Sequence, residues 1–306
     1  MPSPAAALAA GAAPGPGAVL EFDAWRALED AHGTRADALT AGRRARAARG
    51  ETHPVDDFLY TYYSYKPSLL RRWHPGAGVL LAGGASARGD WRWYAAEGAD
   101  VRVAVDAFAT EKRPLLRAIA GILRATALRR AAFGCFGLHE WAMVYRQGEH
   151  RHPVPLRLGQ QATDAVVDEH QLACTHFDAF RFFTADAAPR NRVALSRERQ
   201  PATEQPGCLH ANMDLYKWAV KLGPLVPGAL LLDCFELARD IREVDMRASP
   251  YDLADWGCAP IPIETVEGKA EYVAAQRGFA ERAEPLRAAL VEITDAALRE
   301  SVSVHS

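Results

Sequence analysis

A chain of 306 residues, 49% hydrophobic and 24% charged with seven Trp, buries a large core without needing disulfides or structural metals. Its net charge of −2 excludes a surface coated in positive charge for nonspecific nucleic-acid binding. Residues 1–130 nevertheless hold 18 Lys/Arg against 13 Asp/Glu, which leaves room for a local basic face at Arg43, Arg44, Arg46 and Arg49. The five cysteines (Cys135, Cys174, Cys208, Cys234 and Cys258) are odd in number and lack a CxxC pair, so they read as reduced thiols of a cytoplasmic protein. No run approaches the ~18 apolar residues of a membrane span.

The expected fold is mainly α: a single globular domain, residues 20–306, with a small antiparallel β insertion at about 79–108, after a disordered Ala/Pro/Gly tail over 1–19. Phe22, Trp25 and Leu28 begin a helical face that runs to Arg49, with Gly33 expected to divide it in two. His53-Pro54-Val55-Asp56-Asp57 resembles a helix start, and Pro67 and Pro75-Gly76 read as stops. Val79–Leu81, Trp91–Tyr94 and Val101–Val105 are β-prone and separated by Gly-containing turns. Helices follow over Leu115–Leu128, over Leu138–Arg146 after the turn Gly134–Gly137, and around Phe177–Phe183. Two more cover Met213–Leu222 and Leu230–Met246, and a last one over about Glu267–Arg299 is expected to close against the first.

Polar residues gather in four otherwise apolar segments. In Gly137–Arg146, His139 and Glu140 open a helix that must be largely buried. A buried Glu has a raised pKa unless it is paired, which suits an acid or a water-activating base; a helix-start acid favoured by the macrodipole is the structural alternative. In Cys174–Phe183, Asp178 and Arg181 stand three apart among aromatics, either as a catalytic carboxylate and its partner or as a capped aromatic core. In Pro206–Trp218, His210 and Asp214 are four apart, on one face if the helix includes His210. In Leu230–Arg242, Asp233, Glu236 and Asp240 form one stripe, and Asp233 after three leucines is expected to be drawn inward toward a cation, a donor or a metal. Arg242 and Arg247 are candidate anion partners.

A divalent transition metal held by His176, His210, Asp214, Asp233 and Glu236 would make a metal-dependent hydrolase or oxygenase on a small metabolite. Cys174-x-His176 with Cys208-x-His210 is a second metal reading, at a spacing unlike common zinc modules. Glu-x-x-His, His-Glu-x-x-His, the Walker phosphate loop, GxGxxG after a strand and GxSxG are all absent. A purine- or nucleotide-binding module without catalysis is the remaining alternative.

The strings Phe136–Trp141, Thr175–Phe183, Gln205–His210 and Met213–Trp218 resemble those of a bacterial, largely actinobacterial, family labelled 3-methyladenine DNA glycosylase, over about His53 to Ala280. The helix-hairpin-helix and trailing Asp of well-characterised alkylbase glycosylases are missing. The resemblance implies base excision: DNA with a damaged base as partner, no membrane and no cofactor. Such chemistry needs aromatic walls for a flipped base and a carboxylate for the sugar cation or the water. Asp178 or Asp214 is the expected catalytic carboxylate, Glu140 its partner, and His176 and His210 its orienters. His139, Trp141, Tyr145, Phe180, Phe182, Arg181, Tyr216, Lys217, Trp218 and Arg242 are the expected substrate contacts, with phosphates held by the basic N-terminal half. All four segments are expected to converge.

Overall fold

The computed structural model describes Gly15, residues 17–148 and residues 154–303, the last three by backbone alone. The expected tail over 1–19 falls mostly outside the described residues. Val19–Leu20 forms β1. Helix α1 (Phe22–Ala48) runs unbroken through Gly33. A Cβ at Gly33 would sit 3.3 Å from the Arg71 guanidinium, so this glycine allows close packing and does not end the helix. Trp25, His32, Ala36 and Thr40 form its buried face.

Helix α2 (Phe58–Tyr62) begins later than the His53-Pro54 signal suggests. A turn precedes it, in which the His53 ring accepts from the amides of Val55 and Asp56. Pro67 opens α3 (Pro67–Leu70) instead of stopping a helix, since a first-turn residue needs no N–H. β2 (Leu80–Leu81), α4 (Ala85–Arg88), β3 (Tyr94–Glu97) and β4 (Asp100–Val103) follow. The sheet order is β1-β2-β4-β3; β2, β4 and β3 pair antiparallel, as expected of the insertion, and β1, from outside it, adds parallel to β2. Arg88 is buried against Trp25, Trp73 and Trp91 and donates to Trp73 O at 2.9 Å.

Helix α5 (Val105–Ala127) starts well before Leu115 and kinks at Lys112, two residues ahead of Pro114. Then come α6 (Leu138–Ala142), α7 (Gly159–Glu169), α8 (Phe177–Phe180), α9 (Gln200–Thr203), α10 (Leu209–Leu222), α11 (Gly228–Arg247) and α12 (Val266–Ser303). α7 lies in a stretch whose sequence reads as irregular. The last helix packs on α5, α10 and α11, and α1 packs chiefly on α3 and α11, so the main closure of the last helix is on α5 and not on the first helix as expected. Among the described residues no helix is long and apolar enough to cross a membrane. The result is a mainly helical fold with α10 and α11 packed side by side at its centre.

Candidate functional site

Local backbone chemistry delivers the polar residues inward. Gly137, at φ +73°, makes the left-handed turn into α6, and a Cβ there would meet Ala248 and Tyr272 at 3.3 Å. This turn seats His139 and Glu140, both buried. Gln205 clamps the approach to α10. Its Oε1 accepts from Ala132 N at 2.8 Å and Gly207 N at 2.7 Å, and its Nε2 donates to Ala132 O at 3.1 Å. α10 therefore starts at Leu209 and includes His210, which shares a face with Asp214 and Lys217. The last turns of α11 add Arg242 and Asp245, three apart and both buried.

These side chains form two adjoining clusters. In the first, His139 Nε2 lies 3.0 Å and His210 Nε2 3.9 Å from the Asp245 carboxylate, and Arg242 Nη1 donates to Glu140 Oε1 at 3.2 Å. The His139 and His210 rings meet edge to face at 4.5 Å. In the second, Lys217 Nζ donates to Asp178 at 2.7 Å and to Asp214 at 2.8 Å. Arg197 donates to the other Asp178 oxygen at 2.7 Å, and Tyr63 OH to Asp214 at 3.2 Å. His176 lies 2.9 Å from Glu204 and 3.6 Å from Asp214. The His176 ring stacks at 5.4 Å on His210, which joins the clusters.

Charge states follow from these contacts. Burial works to raise the Asp178 carboxyl, but Lys217 and Arg197 outweigh it and hold the group at about 2, anionic at neutral pH. Burial, reinforced by His139, pushes the His210 imidazole well below its usual range and keeps it neutral. Burial also opposes protonation of His139 and His176, yet Asp245 raises the first and Glu204 the second.

A partly enclosed cleft of about 220 Å³ opens over both clusters. Glu140, Asp178, His210, Arg242 and Gln147 supply its polar lining, and Phe58, Tyr62, Phe182, Tyr251 and Met143 its apolar walls. An adjoining groove shares Tyr62 and Asp178 and is lined by Arg181, Arg197, Lys217 and Lys221.

Segments one, two and three converge as the sequence suggests; the fourth does so only through Arg242 and Asp245. Asp233 and Glu236 point elsewhere, half-exposed and paired with Arg35, so the five-residue metal set is not assembled. Leu231 and Leu232 turn inward, whereas Leu230, three residues before Asp233 and on its side of α11, is only partly buried. Nor do Cys174, His176, Cys208 and His210 share a common ligand cluster among the described residues. Most of the expected walls are core residues. Trp141 donates from Nε1 to Ala248 O, Tyr145 bonds Asp168, and Tyr216 packs on Tyr63 and Phe235. Phe180 packs with Phe183, and Trp218 is buried with Lys217 over its ring. Asp214 sits beneath Lys217, outside the cleft lining. The N-terminal arginines are engaged too: Arg43 and Arg46 with Asp57, Arg44 with Asp37, Arg49 with Glu51.

Asp245, Glu204, Arg197 and the Phe58/Tyr62 wall were not singled out as site residues from the sequence. The stacked pair Phe58 and Tyr62 carried a signal, being four apart in an aromatic run. Glu204 carried none, since only the fold sets it against His176. No known protein family, curated protein or solved structure matches the chain.

Proposed function

We propose that the chain is a hydrolytic N-glycosylase that releases an alkylated purine of the 3-methyladenine type from DNA. The observation that carries this reading is the cleft itself: aromatic walls that accept a planar base, with the anionic Asp178 and with Glu140 in its lining. An N3-methylated purine is cationic while attached to the sugar and neutral once released, so it leaves without needing a strong acid. As the C1′–N9 bond breaks, its electron pair goes to the base and positive charge develops at C1′. A fixed carboxylate at that point stabilises the sugar cation. Water then adds through its oxygen to C1′, and its proton passes to a carboxylate and on to solvent.

The residues divide this work. Asp178 is oriented by Lys217 and Arg197, Glu140 is held by Arg242, and the Arg242 guanidinium in turn lies 4.0 Å from the Phe58 ring centroid. Phe182 and Tyr62 flank the space for the base. Arg181, Arg197 and Lys221 in the adjoining groove are placed for the phosphates on either side of a flipped nucleotide, and they replace the N-terminal arginines in that role. Their charge is local, which accommodates DNA on a chain of net charge −2.

The test is chromatography of bases released from methylated DNA by the purified protein. Release of 3-methyladenine, lowered at least 100-fold in Asp178→Asn, is the expected result (about the contribution of one preorganised electrostatic group). Release no greater than from a heat-inactivated control overturns the reading.

A further inference from the structure

We propose that His139, His210 and Asp245, with Glu140 as a fourth donor, form a binding site for one divalent transition-metal ion of the zinc class. One donor atom from each of the four lies within 4.8 Å of every other, and all four side chains are buried or nearly so. Donor atoms bound to one ion at about 2.0–2.1 Å stand roughly 3 Å apart. His139 Nε2 and Asp245 Oδ1 are 3.0 Å apart.

The independent sign is Asp245. It is 1% exposed, and neither carboxylate oxygen has a hydrogen-bond partner, nor does His139 Nε2 facing it. The two are near enough to bond, but the ring N–H direction misses the carboxylate. A buried carboxylate without donors is strongly unfavourable unless a cation completes it. Arg242, the nearest guanidinium, is committed to Glu140 at 3.2 Å and stands 4.0 Å from Asp245.

The surroundings suit a ligand set. Cys135 Sγ is 3.3 Å from His139 Nδ1, so once an ion displaces the Nε2 proton the ring can keep its Nδ1 proton toward Cys135 and bind through Nε2. His210 supplies the second imidazole, its Nε2 3.9 Å from the other Asp245 oxygen. Imidazole with carboxylate favours zinc-class ions over the all-oxygen sites preferred by calcium and magnesium. The neighbouring trio His176, Asp178 and Asp214 also brings donor atoms together, but Lys217 already supplies its cation to both acids. There Glu204, though its contact with His176 is similarly off-direction, accepts from Gln200 at 2.5 Å. One cluster thus holds an internal ammonium, whereas in the other the group facing Asp245 is the His139 imidazole, whose proton an incoming ion would displace. His210 and Glu140 line the cleft, so an ion here would face a bound substrate and lower the pKa of a water it carries.

The experiment is equilibrium dialysis of the chelator-treated full chain against Co2+ and Zn2+, with the Co2+ absorption spectrum recorded. One equivalent is expected, with bands of nitrogen and oxygen coordination. Asp245→Asn and His210→Gln should each weaken binding by at least about 100-fold, while Asp233→Asn, remote from the cluster, leaves it unchanged. Wild-type chain that binds no Co2+, or binding that survives both variants, overturns the proposal. If the variants fail to fold, the wild-type stoichiometry and spectrum decide alone: anything but one ion with imidazole coordination counts against it. Because binding is measured without substrate, it is separate from base release. A chain that binds Co2+ but frees no base loses the glycosylase reading alone, and one that frees base without binding Co2+ loses the metal site alone.

Discussion

Lys217 Nζ lies 2.7 Å from Asp178 and 2.8 Å from Asp214, so a single buried ammonium holds together two carboxylates from separate segments. Burial opposes the charge on Lys217, but Asp214 and Asp178 prevail and raise its pKa. Replacing it with Met keeps the length of the side chain and removes the cation the two acids share, leaving Asp178 to Arg197 and Asp214 to Tyr63 and His176. Lys217→Met should cost about 3–5 kcal/mol of unfolding free energy, the usual penalty for breaking a buried pair from one side. Urea denaturation at neutral pH measures it, and a loss below about 1 kcal/mol would mean that the ammonium is not the bond between the two segments.

The same cluster sets a pH profile. Asp178 titrates near 3.8 when unfolded and at about 2 when folded. Its contribution of about 2 kcal/mol is therefore present above pH 3.8 and lost as pH falls through about 2. His176 has the opposite sense: its folded pKa is raised by Glu204 against burial, so its stabilisation is complete below 6.5 and is lost as pH rises through the raised value. His139 acts like His176, whereas His210, lowered by burial, favours the folded state as pH rises past 6.5. The comparison that isolates His176 is wild type against His176→Asn. The stability difference between them should shrink as pH rises above 6.5, as read by urea midpoints at a series of pH values. A difference that grows with pH would show that His176 is buried neutral.

Much of the site was legible because its residues sit where apolar runs leave polar side chains no route to solvent. His139 and Glu140 in a buried helix follow from the pattern, and the spacing of His210 and Asp214 gives a shared face because the helix does include His210. Asp233 misled because three leucines precede it. A helix turns 100° per residue, so an apolar run does not place the residue after it inside, and Arg35 waits on the outer face. Asp245 was passed over because it lies in a charge-rich stretch that does not mark which residue turns inward, yet α6 and α10 cover it. The aromatic walls were misassigned because sequence marks an aromatic as buried without saying whether a cavity or the core receives it. Trp141 and Tyr216 went to the core; Phe58 and Tyr251 face the cleft. Helix α7 escaped notice among turn formers, and the β1–β2 pairing joins segments too distant in sequence for local patterns to report.

Backbone geometry at Gly137 offers a test of how the site is held. With φ at +73° and two neighbours 3.3 Å from a would-be Cβ, Gly137→Ala faces both conformational strain and crowding by Ala248 and Tyr272. A loss of about 1–3 kcal/mol is expected, with base release falling more than global stability explains because α6 carries Glu140. Thermal melting beside the base-release assay separates the two. Equal melting temperatures for variant and wild type would show that the turn relaxes freely.

The basic groove decides between a DNA substrate and a free nucleoside. Arg181, Arg197 and Lys221 surround the edge of the cleft at Tyr62 and Asp178, and the first two side chains are 43% and 58% exposed. Each cation that neutralises a phosphate contributes about −0.7 to −0.9 to the slope of log affinity against log salt. Lys221→Gln removes one such charge without touching the Asp178 contacts, and Arg181→Gln removes a second together with a longer 3.6 Å pair to Asp178. Fluorescence anisotropy with a duplex bearing a central abasic analogue should give a slope that becomes less negative by about one for each substitution. Arg197 is a poorer probe, because its bond to Asp178 couples phosphate contact to the carboxylate. A flat salt dependence in the wild-type chain would mean that no phosphates are neutralised. The planar base would then enter the cleft as part of a nucleoside, with the groove serving only to hold Asp178 anionic.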